Sequence, residues 1–140
     1  MNTLTLTKQK KKTKTYLYLK QALIILLQKN KYGDITVKDL VEKAGISRTA
    51  FYAQFKSKQD LVDQLINDIH SDATNIATEN NNMCFFSEKN FVSYYIRLYN
   101  YILQNSDIYK VMLNNNGLAA FRTRMTQEAL NLWKSKSCMF

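Results

Sequence analysis

The short segment "GISRTAFYAQFK" presents side chains that could recognise duplex DNA. Phe51 and Phe55 repeat at helical spacing and predict the buried face of a short helix. Arg48, Thr49 and Tyr52 then point roughly the other way. Arginine can chelate guanine O6 and N7, threonine can contact phosphate or thymine, and tyrosine can donate to a phosphate oxygen. The pattern indicates a DNA-contacting surface. The alternative is that Tyr52 is a half-buried tyrosine of the core.

Two helix starts flank this segment and could hold backbone phosphates. Thr36 stands where an N-cap belongs, with Asp39 three residues on as in a variant capping box. Lys38 adds positive charge beside the amides of that helix start. Ser57 and Lys58 open the next helix and offer the same arrangement on the opposite flank. The alternative for Lys58 is simple solvated charge.

The elements that position these groups are predicted to be helices throughout. The chain has no proline and only three glycines, which serves strand-rich folds poorly. Apolar periodicity predicts helices at about 13–29, 37–44, 48–55, 58–78, 88–103, 107–113 and 118–134. Gly45 can adopt the left-handed end of the second helix, and Ser47 caps the third. Leu40, Ile46 and the two phenylalanines are assigned to the core.

This order predicts an all-α fold. A three-helix helix-turn-helix DNA-binding domain is linked by a long fourth helix to a small helical C-terminal domain. The expected divisions are a flexible basic arm at 1–12, the helix-turn-helix domain at 13–60 and a shortened effector or dimerisation domain at 61–140. The short helix at 48–55 would enter the major groove, and the helix before it would cross the backbone.

Charge is distributed unevenly along the 140 residues. The formal net charge is +9, and residues 1–58 contain 13 Lys and Arg against three acids, whereas 59–140 contain seven against eight. Such asymmetry implies a polyanionic partner for the N-terminal part, either nucleic acid or an anionic membrane surface. A solvated lysine face kept for solubility is the plain alternative.

The segment "ITVKDLVEKAGISRTAFYAQFKSKQDL" resembles the DNA-binding region of the TetR family of bacterial transcription regulators. The shared features are a threonine-led helix, an A-G-[IV]-S turn and an ending of the form FY-x-x-F-x-x-K. The resemblance implies a repressor that binds a short inverted-repeat operator as a homodimer. It also implies that eight positions contact DNA: Thr36, Lys38, Ser47, Arg48, Thr49, Tyr52, Gln54 and Lys58. Gln54 stands where the family more often has an aromatic residue or histidine.

The C-terminal half resembles one subgroup's effector domain more weakly, through "YYIRLYNYILQNSDIYKVMLNNNG". The resemblance implies a small-molecule effector cavity among its many aromatic residues, but core packing explains these residues equally well. The family normally ends in two long helices that form the dimer interface. Here a single helix is expected, with Leu118, Phe121, Met125, Leu130 and Trp133 as its apolar face. This predicts a weak dimer or a monomer in free solution, with pairing chiefly on DNA.

Other functions fit the residues less well. One histidine, scattered acids and no Gly-rich phosphate loop offer little for an enzyme, and no cofactor is expected. Cys84 and Cys138 are far apart without a CxxC, so neither zinc nor a disulfide is expected. No membrane-spanning or secretory segment is recognised, and the protein is expected to be cytoplasmic. The remaining alternatives are a helical protein-interaction module and a membrane-surface protein that uses the basic half.

Overall fold

The computed structural model describes residues 13–78, 88–114 and 118–136. The predicted basic arm at 1–12 and both cysteines lie outside these ranges. So do the segments 79–83 and 115–117 between predicted helices, and two of the C-terminal aromatic residues, Phe85 and Phe86. The side chains of Phe91 and Trp133 are likewise not described. Within the described ranges the chain is helical and contains no strand, which confirms the all-α prediction.

Seven α-helices follow one another along the described chain. They are α1 Lys14–Leu27, α2 Val37–Ala44, α3 Arg48–Tyr52, α4 Lys58–Thr78, α5 Glu88–Gln104, α6 Ser106–Leu113 and α7 Ala119–Lys136. A single 3₁₀ turn, Tyr32–Asp34, lies between α1 and α2. Their order is the predicted one, with the 21-residue α4 as the long helix between the two halves.

The third helix is shorter than predicted, because it ends at Tyr52 and not at residue 55. Its last turn tightens, so that the Gln54 backbone N–H donates to the Phe51 carbonyl oxygen at 3.0 Å. The Lys56 N–H is then held by Asp60 Oδ2, 2.9 Å away at the start of α4. The chain after Tyr52 thus leads directly into the start of α4, and Phe55 stays buried as predicted.

The buried core runs without interruption from the N-terminal half into the C-terminal half. It is built on α1, whose Leu19, Leu23 and Leu27 are fully buried, and α1 packs against both α2 and α6. Phe51 from α3 and Met112 from α6 belong to the same cluster. The two halves therefore share one apolar interior. The predicted division at residue 60 is not tested by this packing and stays a prediction.

The last helix contributes its apolar residues to this shared core. Leu118 and Phe121 are buried within the same chain, and the Phe121 ring lies 6.1 Å from that of Tyr109. Two of the five residues predicted to form the apolar face of this helix are therefore covered within their own chain, and the weak dimer stays a prediction. The reason is that α6 and α7 form a hairpin, which turns the start of α7 inward. Leu130, farther along α7, is exposed.

Candidate nucleic-acid interface

The turn between α2 and α3 is fixed by backbone geometry and by burial on both sides. Gly45 has φ = +69°, a left-handed conformation that favours glycine, as predicted. The Ile46 N–H donates to the Val41 carbonyl oxygen at 3.1 Å, which completes the end of α2. Leu40 and Phe51, one from each helix, are fully buried beneath the turn. The two helices are therefore held at a fixed angle, as a groove-reading pair requires.

The outward side of α3 is formed by Ser47, Arg48, Thr49 and Tyr52, all of which are exposed. Ser47 Oγ accepts from the Ala50 N–H at 3.1 Å, so the cap predicted for this helix is confirmed. Tyr52 is 56% exposed, and its ring stands edge-on to that of Phe51 at 5.1 Å between centroids. The alternative of a half-buried core Tyr52 is therefore wrong.

The start of α2 shows the predicted capping box. The Thr36 hydroxyl accepts from the Asp39 N–H at 3.1 Å and donates to Asp39 Oδ2 at 2.8 Å. The Thr36 N–H also donates to Oδ2, and this bond first, then the hydroxyl, lowers the pKa of Asp39. The Thr36 hydroxyl proton is already donated to Asp39. A phosphate bound here would therefore contact the first backbone N–H groups of α2 and the exposed Lys38.

Lys58 has a more enclosed position than sequence reasoning indicated. Its ammonium donates to the Tyr32 carbonyl oxygen at 2.8 Å and to the Ile35 carbonyl oxygen at 2.7 Å. It also lies 4.1 Å from the centroid of the Tyr32 ring, and partial burial lowers its pKa. Two of its three N–H groups therefore fasten the start of α4 to the loop before α2, which leaves one for a phosphate.

Gln54 joins the end of α3 to the start of α1. Thr13 Oγ1 donates to Gln54 Oε1 at 2.7 Å and accepts from the Tyr16 N–H at 3.2 Å. Gln54 is half-buried and its Oε1 is engaged by Thr13, so a contact to DNA, which stays a prediction, would use its amide nitrogen as donor. Sequence reasoning assigned Thr13 only to a helix start, because nothing in the local pattern shows a partner 41 residues away.

The aromatic run of the C-terminal half divides into two groups. Tyr101 and Tyr109 pack together, with ring centroids 6.4 Å apart, and Tyr101 donates to Asp72 Oδ2 at 3.2 Å. Burial raises the pKa of Tyr109 to about 12. Tyr95 and Tyr99 are instead exposed on α5. These described residues therefore do not converge on one cavity, and an effector pocket stays a prediction.

Comparison with known families bears on the functions left open. Residues 21–65 match the family model described as bacterial regulatory proteins, tetR family. Through this N-terminal part, about a third of its length, the chain is similar to the TetR family. All eight candidate residues lie within the matched range, and this family consists of DNA-binding transcription regulators. Comparison with curated proteins and with solved structures found no match.

Two further observations bear on the alternatives. Among residues 13–78, 88–114 and 118–136, no helix is long and apolar enough to cross a bilayer. The same residues contain no cluster of His, Cys, Asp or Glu that could hold a metal ion. The single histidine of the sequence, His70, lies on α4 and is buried.

Proposed function

We propose that this protein is a transcriptional repressor of the TetR family that binds a short inverted-repeat operator through α3. The observation that carries the proposal is the exposed set Arg48, Thr49 and Tyr52 on a short helix that the buried Phe51 fixes from below. An arginine at the first position of such a helix reaches base edges, while the tyrosine one turn later positions the helix on the backbone.

The flanking groups supply the phosphate contacts of this proposal. Lys38 at the start of α2 and Lys58 at the start of α4 stand on either side of α3 in the chain. Ser47 and Gln54 contribute side-chain donors. Thr36 contributes indirectly, because its N–H and O–H both donate to Asp39 and so fix the helix start that presents the first amides of α2. Repression is proposed from the behaviour that the family resemblance implies, since a bound regulator at a promoter excludes polymerase.

A membrane-surface function is less well supported by the structure. Such a function needs an amphipathic helix that presents an apolar face to lipid next to its cations. The helix that follows the basic arm is α1, and six of its residues are buried in the core of the same chain. Its apolar side is therefore occupied and cannot insert into a bilayer.

The test is the salt dependence of binding to a mixed-sequence duplex. Affinity should fall steeply as salt rises, and Lys38→Ala should reduce the log–log slope by about 1. Lys110→Ala is the matched control, because Lys110 is equally exposed but lies on α6 outside the proposed surface. An affinity that does not change with salt, or an equal effect of the two substitutions, would contradict the proposal.

A further inference from the structure

The residue that caps α1 is hydrogen-bonded to the chain just after α3, although the two are 41 residues apart. The Thr13 hydroxyl donates to Gln54 Oε1 at 2.7 Å, and its oxygen accepts from the Tyr16 N–H at 3.2 Å. The Thr13 carbonyl oxygen also accepts from the Leu17 N–H at 3.1 Å. Thr13 is thus fixed as the N-cap of α1, and its single hydroxyl proton is given to Gln54.

An aromatic contact next to this bond holds both of its ends in place. The rings of Tyr16 and Phe55 have centroids 6.1 Å apart, and both side chains are buried. Tyr16 follows Thr13 by three residues, and Phe55 comes directly after Gln54. The Gln54 N–H also donates to the Phe51 carbonyl oxygen at 3.0 Å. The backbone is therefore fixed at both ends, and the hydrogen bond determines only how the Gln54 side-chain amide is held.

The bond leaves one polar group of Gln54 for a partner. Because the amide is planar, holding Oε1 also restricts the position of Nε2, which carries two N–H groups. Nε2 makes no hydrogen bond within the part of the chain that the structure describes. A phosphate oxygen only accepts hydrogen bonds, so a donor of this kind matches a phosphate. A free glutamine side chain would lose rotamer freedom on binding, and the bond to Thr13 removes part of this loss beforehand.

The place of Gln54 in the chain favours a phosphate over a base edge. In a helix that enters the major groove, the N-terminal residues reach the base edges. Arg48 is the first residue of α3, whereas Gln54 comes two residues after its last, Tyr52. Gln54 is therefore expected where the chain leaves the groove, close to the sugar–phosphate backbone.

We propose that Thr13 is a positioning residue for DNA binding, which holds Gln54 so that its Nε2 donates to a backbone phosphate. The inference rests on the proposed function, to which it adds a residue outside the eight predicted contacts. The contact is uncharged on the protein side, so its loss should lower affinity without changing the number of counterions released. It carries no sequence information, so the loss should be the same for a selected operator and for mixed-sequence DNA.

The test measures affinity for a mixed-sequence duplex at several salt concentrations. Gln54→Met should lower the affinity by about tenfold and leave the log–log salt slope unchanged. Gln127→Met is the matched control, because Gln127 is also hydrogen-bonded and exposed but lies on α7, outside the proposed surface. It should bind as the wild type does.

Two substitutions of Thr13 separate its bond to Gln54 from its role as a helix cap. Thr13→Gly should lower the affinity by about threefold or more, because it removes the hydroxyl. Glycine is nearly as good an N-cap as threonine, so the melting temperature should hardly change. Thr13→Ser keeps the hydroxyl and should restore the affinity of the wild type.

A double substitution tests whether Thr13 acts through Gln54. When Gln54→Met is already present, Thr13→Gly should change the affinity by less than about twofold. The inference is overturned if Thr13→Gly causes its full loss in that background, or if Thr13→Ser binds as weakly as Thr13→Gly. It is also overturned if Gln54→Met changes the base preference in duplexes selected from a random library, since Gln54 would then read a base.

The same measurements distinguish failure of this inference from failure of the proposed function. If the wild type binds DNA with a steep salt dependence and Thr13→Gly binds equally well, the inference fails and the proposed function stands. If the wild type binds no DNA, the proposed function fails and the inference fails with it.

Discussion

Tyr16 and Asp68 join the first helix of the DNA-binding half to the long helix α4. The Tyr16 hydroxyl donates to Asp68 Oδ2 across 2.6 Å, and Gln64 Nε2 donates to the other carboxylate oxygen at 3.1 Å. Burial, and then this bond to a carboxylate, raises the pKa of Tyr16. One turn later on α4, Asp72 accepts from Tyr101 of α5. The long helix thus uses two carboxylates to contact both halves of the chain.

Tyr16→Phe should lower the free energy of unfolding by about 1–2 kcal/mol, because it removes a partly buried hydrogen bond to a charged acceptor. Urea denaturation measures the change. The matched control is Tyr18→Phe, since Tyr18 is exposed on the same helix and should lose almost nothing. Equal effects of the two substitutions would mean that the bond to Asp68 adds no stability.

Lys58→Met should destabilise the fold by about 1–3 kcal/mol, because it leaves two partly buried carbonyl oxygens without the ammonium that they accept from. Methionine keeps most of the apolar part of the lysine side chain, so the loss of stability measures the contribution of the ammonium group. Chemical denaturation should show no comparable loss for Lys56→Met, since Lys56 is exposed. If the remaining N–H contacts a phosphate, Lys58→Met should also reduce the salt slope of DNA binding by about 1.

The local features of the DNA-binding half could be predicted because each depends on residues close in sequence. The Thr36–Asp39 box, the Ser47 cap and the left-handed Gly45 are all set within four residues, and each is confirmed. The exposure of Arg48 and Tyr52 followed from the spacing of the buried phenylalanines. Helix periodicity also gave the boundaries of every other helix to within about two residues.

Contacts between residues distant in sequence could not be predicted in the same way. In sequence, Lys58 resembles a solvated lysine. The carbonyl groups that it binds belong to the backbone, so the residue types do not reveal them. The hydrogen bond from Thr13 to Gln54 could not be predicted either, because both residue types are common at exposed helix ends. Which apolar side of α5 or α7 is covered depends on how the C-terminal helices pack, and periodicity shows only that such sides exist.

Gly45→Ala should cost about 1–2 kcal/mol, because alanine must adopt the left-handed conformation that ends α2. No atom lies within 4 Å of the added methyl group, so the cost is conformational and not steric. Thermal or urea unfolding measures it. Gly33→Ala is the control: the space around it is equally open and its φ is not positive, so it should be neutral or slightly stabilising. A neutral Gly45→Ala would show that the turn tolerates another conformation.

His70 should make stability depend on pH. Its Nε2 is buried without a hydrogen-bond partner in the described part of the chain, and burial, then the nearby Arg124, lowers its pKa, against a smaller opposing effect of Glu128. Since the unfolded state takes up the proton first, stability is full above about pH 7 and falls as pH drops through the ordinary histidine pKa of about 6.5.

His70→Gln cannot titrate, so its stability should change less than that of the wild type between about pH 8 and pH 5.5. Urea denaturation at the two pH values gives both differences. Identical pH dependence in the two proteins would show that His70 takes up its proton over the same pH range in the folded and unfolded states.

The central claim is that α3 reads a DNA sequence, and selection of bound duplexes from a random library tests it most directly. The wild-type chain should enrich a short inverted repeat. Arg48→Ala should lose about 1–3 kcal/mol on that site and lose its preference at one or two base positions in each half-site. Enrichment of no sequence by the wild type, or an equal loss of affinity for selected and random DNA with Arg48→Ala, would contradict the claim.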